Sequence, residues 1–327
     1  MKQPGDIIST RILVIRASAL GDTVLALPAL QLLRQHFPQA HLEVVGYSEN
    51  WSVALPLVDR VTPIDLPAFG GLYSGIAHSG LAREVAGIDL VVAWTVHDPR
   101  PSLQGAGAQR TIWRSPLPPL DIHAAQWLVD SLENVVPGAL QPAPPSLHLS
   151  GAELDRAEQT LSDLGLEHPI ILHPGAGEHW KRWPPDRFAQ LGDSLRAGGR
   201  SIALACGPAD ADSVAAVQQA TGARPFAVLP QLPARHLGAV LARSFAVVGN
   251  DSGVTHLAAA AGAPTIALFG PTDPVSWSPT GRVQVVRECT KRPTQAGQIK
   301  VCDDPHCMDR ISVAQVLEGL FNLVRVQ

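Results

Sequence analysis

The feature that most constrains this chain is a regular alternation of short apolar runs with longer helical stretches. The alternation is broken once and then resumes. Arg11–Arg16 (RILVIR) is a short β-rich run, and Asp22–Phe37, stopped by Pro38, has the apolar density of a buried helix. His41–Tyr47, Val61–Leu66, Ile88–Trp94 and Arg110–Arg114 read as further strands, with helices over Tyr73–Ala86 and Asp121–Val136. Pro137–Leu149 (PGALQPAPPSLHL) has four prolines and no periodicity, as a linker does. Beyond it helices are expected at Glu153–Leu164, Pro185–Ala197, Asp210–Thr221, Ala234–Arg243, Gly253–Ala261 and Ile311–Val326. The strands between them are Ile170–His173, Ser201–Ala205, Pro225–Leu229, Phe245–Gly249 and Thr265–Phe269. Strand and helix in turn mean a parallel sheet covered on both faces. The expected fold is therefore α/β: two Rossmann-like, doubly wound domains, 1–145 and 146–327, with ligands at the carboxyl ends of the strands in a cleft between them. The terminal helix is amphipathic and available to pack back on the first domain.

Composition narrows the function classes. The 327 residues carry a net charge of −4, which argues against a nucleic-acid partner. No apolar run is long enough to span a bilayer, and the polar Met1–Thr10 segment lacks a signal-peptide core. A cytoplasmic protein is expected, with peripheral membrane contact open. Four cysteines do not make a disulfide framework. Cys206 reads as a small hydrophobe. Cys289, Cys302, His306 and Cys307 are spaced C-x12-C-x3-H-C, which lacks the paired knuckle of a zinc site, so no metal is expected.

Three loops carry the candidate chemistry. Arg16-Ala-Ser-Ala-Leu-Gly-Asp22 joins the first strand to the first helix, where α/β sheets bind ligands. It lacks G-x-G-x-x-G, which disfavours a nicotinamide dehydrogenase. Asp22 reads either as the helix N-cap or as a general base, and Ser18 and Gly21 as its neighbours on the ligand side. His173-Pro-Gly-Ala-Gly-Glu-His-Trp-Lys181-Arg182-Trp183 combines a glycine-containing loop with two cations before a helix, which reads either as an anion site or as a solvated turn. His173 itself reads as structural. Val247-Val-Gly-Asn-Asp251-Ser-Gly-Val-Thr-His256 leads a buried strand into a helix of small residues. There Asp251 or Ser252 is a natural cap, and the amides from Ser252 onward can receive a phosphate. Asp251 is then expected to point elsewhere, at a cation or hydroxyl. The loop Phe269–Trp277 follows the next strand and is expected to line the same cleft.

Taken in order and spacing, these segments resemble glycosyltransferase family nine, the lipopolysaccharide heptosyltransferases. The resemblance runs through ILVIRASALGDTVLALPAL, HPGAGEHWKRWPPDRFAQL, VVGNDSGVTHLAAAAGAPTIALFGPTDP and the tail CDDPHCMDRISVAQV. It implies a GT-B fold and inverting sugar transfer without a D-x-D metal or other cofactor. The donor would be a nucleotide sugar, usually ADP-heptose, and the acceptor the lipopolysaccharide core. By resemblance Asp22 is the general base and Lys181, with Arg182, holds the donor diphosphate. Asp251, Ser252, Gly253 and His256 form the donor-binding turn, Asp210 lies near the ribose position and Leu232 near the base pocket. Alternatives on the same scaffold are a nucleotide-sugar 2-epimerase-like enzyme and a non-catalytic nucleotide-binding module. An amphiphilic acceptor also calls for a membrane-facing surface, for which Tyr47, Trp51, Trp94 and Arg110 are candidates, Trp94 reading first as a core residue.

Overall fold

In a computed structural model the chain divides into two compact units, Met1–Ala143 and Pro144–Gln327. The structure describes residues 10–74, 79–138, 141–222, 224–295, 297–304 and 306–325. The N-terminal segment, the start of the expected Tyr73–Ala86 helix and part of the Pro137–Leu149 linker fall partly or wholly outside these residues.

The first unit contains β1 (Arg11–Ile15), α1 (Leu20–His36), β2 (His41–Gly46), α2 (Ser48–Trp51) and β3 (Arg60–Pro63). It continues with α3 (Ser79–Val85), β4 (Leu90–Trp94), α4 (Arg100–Gly105), β5 (Thr111–Arg114) and α5 (Ala124–Asp130). All five strands are parallel, in the order β3-β2-β1-β4-β5. Helix α1 is buried from Thr23 through Gln31 and again at Leu33 along an apolar Val-Leu-Ala-Leu-Pro-Ala-Leu stretch, and it packs against α5. It begins two residues before the expected start.

The second unit opens with α6 (Gly151–Asp163), β6 (Ile170–His173), α7 (Pro185–Ala197), β7 (Ile202–Leu204), α8 (Ala211–Ala220) and β8 (Ala227–Val228). Then come α9 (Ala234–Ala242), β9 (Ala246–Asn250), α10 (Gly253–Ala260), β10 (Thr265–Phe269), α11 (Pro274–Trp277), β11 (Val283–Arg287) and α12 (Val313–Arg325). The parallel order is β11-β10-β9-β6-β7-β8. Strand β11 was not expected. Its VQVVR sequence is mostly half-buried at the sheet edge, so it lacks the continuous apolar run of the central strands. Helix α6 starts on a reciprocal capping box between Ser150 and Glu153. Arg235 of α9 pairs with the same Glu153, and that pairing, reinforced by the Ser150 bonds, holds its carboxyl at about 2. Helix α12 spends its apolar face at home: Val316 and Leu320 enter the core formed by Ile170, Phe188, Leu204, Val248 and Leu268. It forms a layer of the second unit, against α7, β10 and β11.

Strand order reverses between β1 and β4 in one sheet and between β6 and β9 in the other. At such switch points the loops leaving the carboxyl ends splay apart and open a crevice. The loop after β1 carries Asp22, and the loops after β6 and β9 carry Lys181 and Asp251.

Candidate functional site

The candidate residues fall into one group in each unit. In the first, Asp22 is not the N-cap of α1. The cap position is Ala19, which has no side-chain bond, and Asp22 lies in the first helical turn. Its side chain is 39% exposed and faces the buried Arg16, Nη2 to Oδ1 at 3.6 Å. Burial pushes the Arg16 guanidinium below its ordinary value, while Asp22 opposes the shift. Nε and Nη1 of Arg16 have no hydrogen-bond partner among the described residues, so the carboxylate is the charge nearest to compensating this cation. Gly21 is a helical residue and forms no tight turn. Ser18 is half-buried, with Oγ 3.3 Å from the Thr23 hydroxyl.

The backbone of this loop is pinned by residues that sequence reading did not assign to it. Trp51 Nε1 donates to the Arg16 carbonyl at 2.8 Å, and Asn50 Nδ2 donates to the Ser18 carbonyl at 2.9 Å. Trp51 is fully buried, which removes it from the membrane-facing candidates. Trp94 is likewise core, its Nε1 donating to Ser131 Oγ. Tyr47 and Arg110 are exposed.

In the second unit the loops after β6, β7 and β9 are tied by a buried polar chain. Asp210 Oδ2 lies 3.1 Å from His173 Nε2 and accepts from the Gly207 amide at 2.9 Å. His173 Nδ1 lies 3.0 Å from Ser252 Oγ, and Ser252 caps α10 by accepting from the Thr255 amide. A carboxylate at Nε2 keeps the ring proton there and leaves Nδ1 to accept from the Ser252 hydroxyl. Burial by itself raises the Asp210 carboxyl. The bond to His173, the Gly207 amide and the charge of Arg182 together bring it below the usual carboxylate value. Gly175 passes so close to Asp210 that a Cβ would collide with the carboxylate, so only glycine fits this approach. Asp210 is thus a brace inside its own loops, its Oδ2 taken up by His173 and the Gly207 amide.

Asn250, at the end of β9, is fully buried and does similar work. Its Nδ2 donates to the Pro174 carbonyl at 2.9 Å, and its Oδ1 accepts from the Trp183 amide at 3.0 Å. One side chain thereby holds both ends of the loop that carries Lys181. An asparagine closing a fully apolar strand was the signal available in the sequence.

On this frame Lys181 Nζ meets Asp251 Oδ2 at 2.7 Å, with side chains 18% and 7% exposed. Nζ also lies 5.3 Å from the Trp180 ring centre. Asp251 sits immediately before the Ser252 cap, so the pair stands at the start of α10 with the Gly253 amide. His256 is buried in the first turn of α10. Arg182 donates to the Ala176 carbonyl at 3.1 and 3.3 Å and shapes the loop. Leu232 is half-buried in the turn from β8 into α9. The structure also gathers Cys289, Cys302 and Cys307 but leaves His306 exposed and paired with Asp309.

Residues 121–305, more than half of the chain, match the family model described as Glycosyltransferase family 9 (heptosyltransferase). The chain belongs to glycosyltransferase family 9. Lipopolysaccharide heptosyltransferase 1 of Pseudomonas aeruginosa is 29% identical over 95% of this chain and 97% of that protein. Among solved structures, the glycosyl transferase family 9 protein of Veillonella parvula aligns with a TM-score of 0.79 at 22% identity, covering 99% of this chain and all of that one. The Escherichia coli ADP-heptose lps heptosyltransferase II aligns at 0.76 and 22% identity, covering 97% and 99%. These two likenesses establish the fold, and the two doubly wound units are GT-B in class. This family 9 glycosyltransferase has no helix, among the described residues, long and apolar enough to cross a membrane.

Proposed function

We propose that this glycosyltransferase moves a heptose from ADP-heptose to the inner core of lipopolysaccharide, with inversion at the anomeric carbon and Asp22 as general base. The first unit takes the acceptor and the second takes the donor. The relatives' names support the substrates: one is a lipopolysaccharide heptosyltransferase and another an ADP-heptose enzyme. The observation that carries the donor assignment is the Lys181–Asp251 pair at the start of α10. In the free enzyme Asp251 holds the lysine in place, and two of the three ammonium protons remain for a diphosphate.

The acceptor hydroxyl attacks the anomeric carbon while the bond to the diphosphate oxygen breaks. The electron pair leaves with ADP and the hydroxyl proton passes to Asp22. Arg16 keeps that carboxylate oriented. Lys181 and the first amides of α10 stabilise the charge that develops on the leaving diphosphate, so this step needs no metal. The acceptor is amphiphilic, and the enzyme meets it peripherally at the inner face of the inner membrane, where the exposed Tyr47 and Tyr73 of the first unit suit an interfacial contact.

The test is turnover of purified enzyme with ADP-heptose and a lipid A–Kdo acceptor, alongside thermal shifts with ADP, UDP, GDP and NAD. Heptosylated lipid should form in step with ADP. ADP at a hundred times its Kd should stabilise by about 2.7 kcal/mol, more than the other nucleotides. Donor conversion without acceptor would instead mean a 2-epimerase-like enzyme. Binding with no turnover would mean a nucleotide-binding module, and a preference for UDP or GDP would replace the donor.

A further inference from the structure

Residues 288–312, between β11 and α12, hold three of the four cysteines of the chain. Among the described residues of this stretch there are turns and one antiparallel bridge, Lys300 to Thr272, but no helix or strand. Yet the sulfurs of Cys289, Cys302 and Cys307 all lie within 4.8 Å of one another, and those of Cys302 and Cys307 are 3.1 Å apart. Cys289 and Cys307 are buried and Cys302 is half-buried.

We propose that Cys289, Cys302 and Cys307 bind one soft divalent cation of the zinc class as thiolates, with the fourth position open toward solvent on the Cys302 side. Tetrahedral zinc–sulfur bonds of about 2.3 Å place ligand sulfurs about 3.8 Å apart. The observed separations, from 3.1 Å to at most 4.8 Å, bracket that spacing. A disulfide would occupy two of the sulfurs, at about 2.05 Å, and leave the third without a role. The surroundings fit a thiolate site. The Asp304 amide donates to Cys302 Sγ at 3.4 Å and Arg310 Nη2 donates to Cys307 Sγ at 3.5 Å. Such donors offset part of the negative charge of three thiolates around a dication. His306 is turned to solvent and to Asp309, so it is not the fourth ligand. The sequence spacing concealed this arrangement, because Cys289 and the later pair meet only through the path of the loop.

The site fastens this stretch to the donor-side loops. Cys307 and Met308 pack on Gly270, where a Cβ would strike the Met308 sulfur. The Val301 amide donates to the Pro271 carbonyl at 2.8 Å. Lys300 Nζ lies 5.8 Å from the ring of Trp180, which also carries Lys181. A bound cation therefore braces the loop after β10 and the neighbour of Lys181, as a structural centre that takes no part in group transfer. This inference does not rest on the proposed substrates.

The experiment is metal analysis of the full chain purified under reducing conditions from zinc-supplemented cells, followed by exchange with cobalt(II). We expect one equivalent of zinc per chain, and for the cobalt form a thiolate-to-metal charge-transfer band sized for three sulfurs. Cys302→Ser should weaken metal binding by about tenfold or more and remove about a third of that band. Cys206→Ser should change neither. Chelation should lower the urea midpoint of the wild type. Absence of stoichiometric metal after reloading, a cobalt spectrum without thiolate bands, or unchanged affinity in Cys302→Ser would overturn the proposal. So would a Cys302–Cys307 disulfide in protein handled without oxidant. If Cys302→Ser fails to fold, the wild-type cobalt spectrum decides alone.

Discussion

Asp22 in the first unit and Lys181 in the second stand at equivalent places, each in or just beyond a loop leaving a sheet at its switch point, yet they are held in opposite ways. Around Asp22 the protein grips the backbone. Trp51 and Asn50 hold the carbonyls of Arg16 and Ser18, and the carboxylate itself stays 39% exposed with one cation at 3.6 Å. Around Lys181 the protein grips side chains. The lysine is paired with Asp251, and its loops are joined through Asp210, His173, Ser252 and Asn250. The difference matches the work proposed for each. A base must accept a proton, so its oxygen cannot be consumed by strong bonds. A diphosphate site works best when its cation and amides are already in position, because then no reorganisation opposes the charge that develops.

The sharpest way to break this comparison is Asp22→Asn. The expected result is a fall in kcat of about 10²–10⁴-fold with ADP affinity unchanged. Turnover near the wild-type rate would remove the base, and a weakened ADP affinity would mean that the two groups are not functionally separate. Next is Asn250→Ala. It leaves the Trp183 amide and the Pro174 carbonyl buried without partners, and should cost about 3 kcal/mol in urea unfolding and weaken ADP. A loss below 1 kcal/mol would show that the loop after β6 does not depend on this side chain.

Lys181→Ala should cost about 2 kcal/mol of ADP affinity, near thirtyfold by titration calorimetry. Part of the loss is the unpaired Asp251 carboxylate, so Asp251→Asn in the same background should recover some of it. Equal ADP affinity in wild type and Lys181→Ala would take the lysine out of the site. The smallest effect on turnover is expected for Trp51→Phe, which removes the bond to the Arg16 carbonyl and part of a buried ring. It should cost about 2 kcal/mol in stability and lower kcat with ADP affinity intact. Full activity there would mean that the Asp22 loop is held by other contacts.

Much of this was legible along the chain. Short apolar runs, helical stretches and proline breaks are local signals, and they named all strands but β11 and placed most helix ends within a few residues. Charged residues at loop positions also stood out. What a residue of that kind does inside its loop was less legible. Asp22 looked like a cap because aspartate caps helices often, but the chain turns helical two residues earlier. Asp210 was placed near a ribose position by resemblance, and nothing near it in sequence revealed its bond to His173.

By itself, then, the sequence determined two parallel-sheet units, the loops that leave their switch points, and the family to which those loops belong. Periodicity and turn chemistry act over a few residues and survive any tertiary arrangement compatible with them. Only the tertiary structure decided the partners. His173 meets Asp210 and Ser252 across 37 and 79 residues, and Trp183 meets Asn250 across 67. Those distances close because strand order places β6 between β7 and β9, and a one-dimensional pattern does not carry strand order. The three cysteines follow the same rule: their convergence depends on how an irregular segment folds back on the loop after β10.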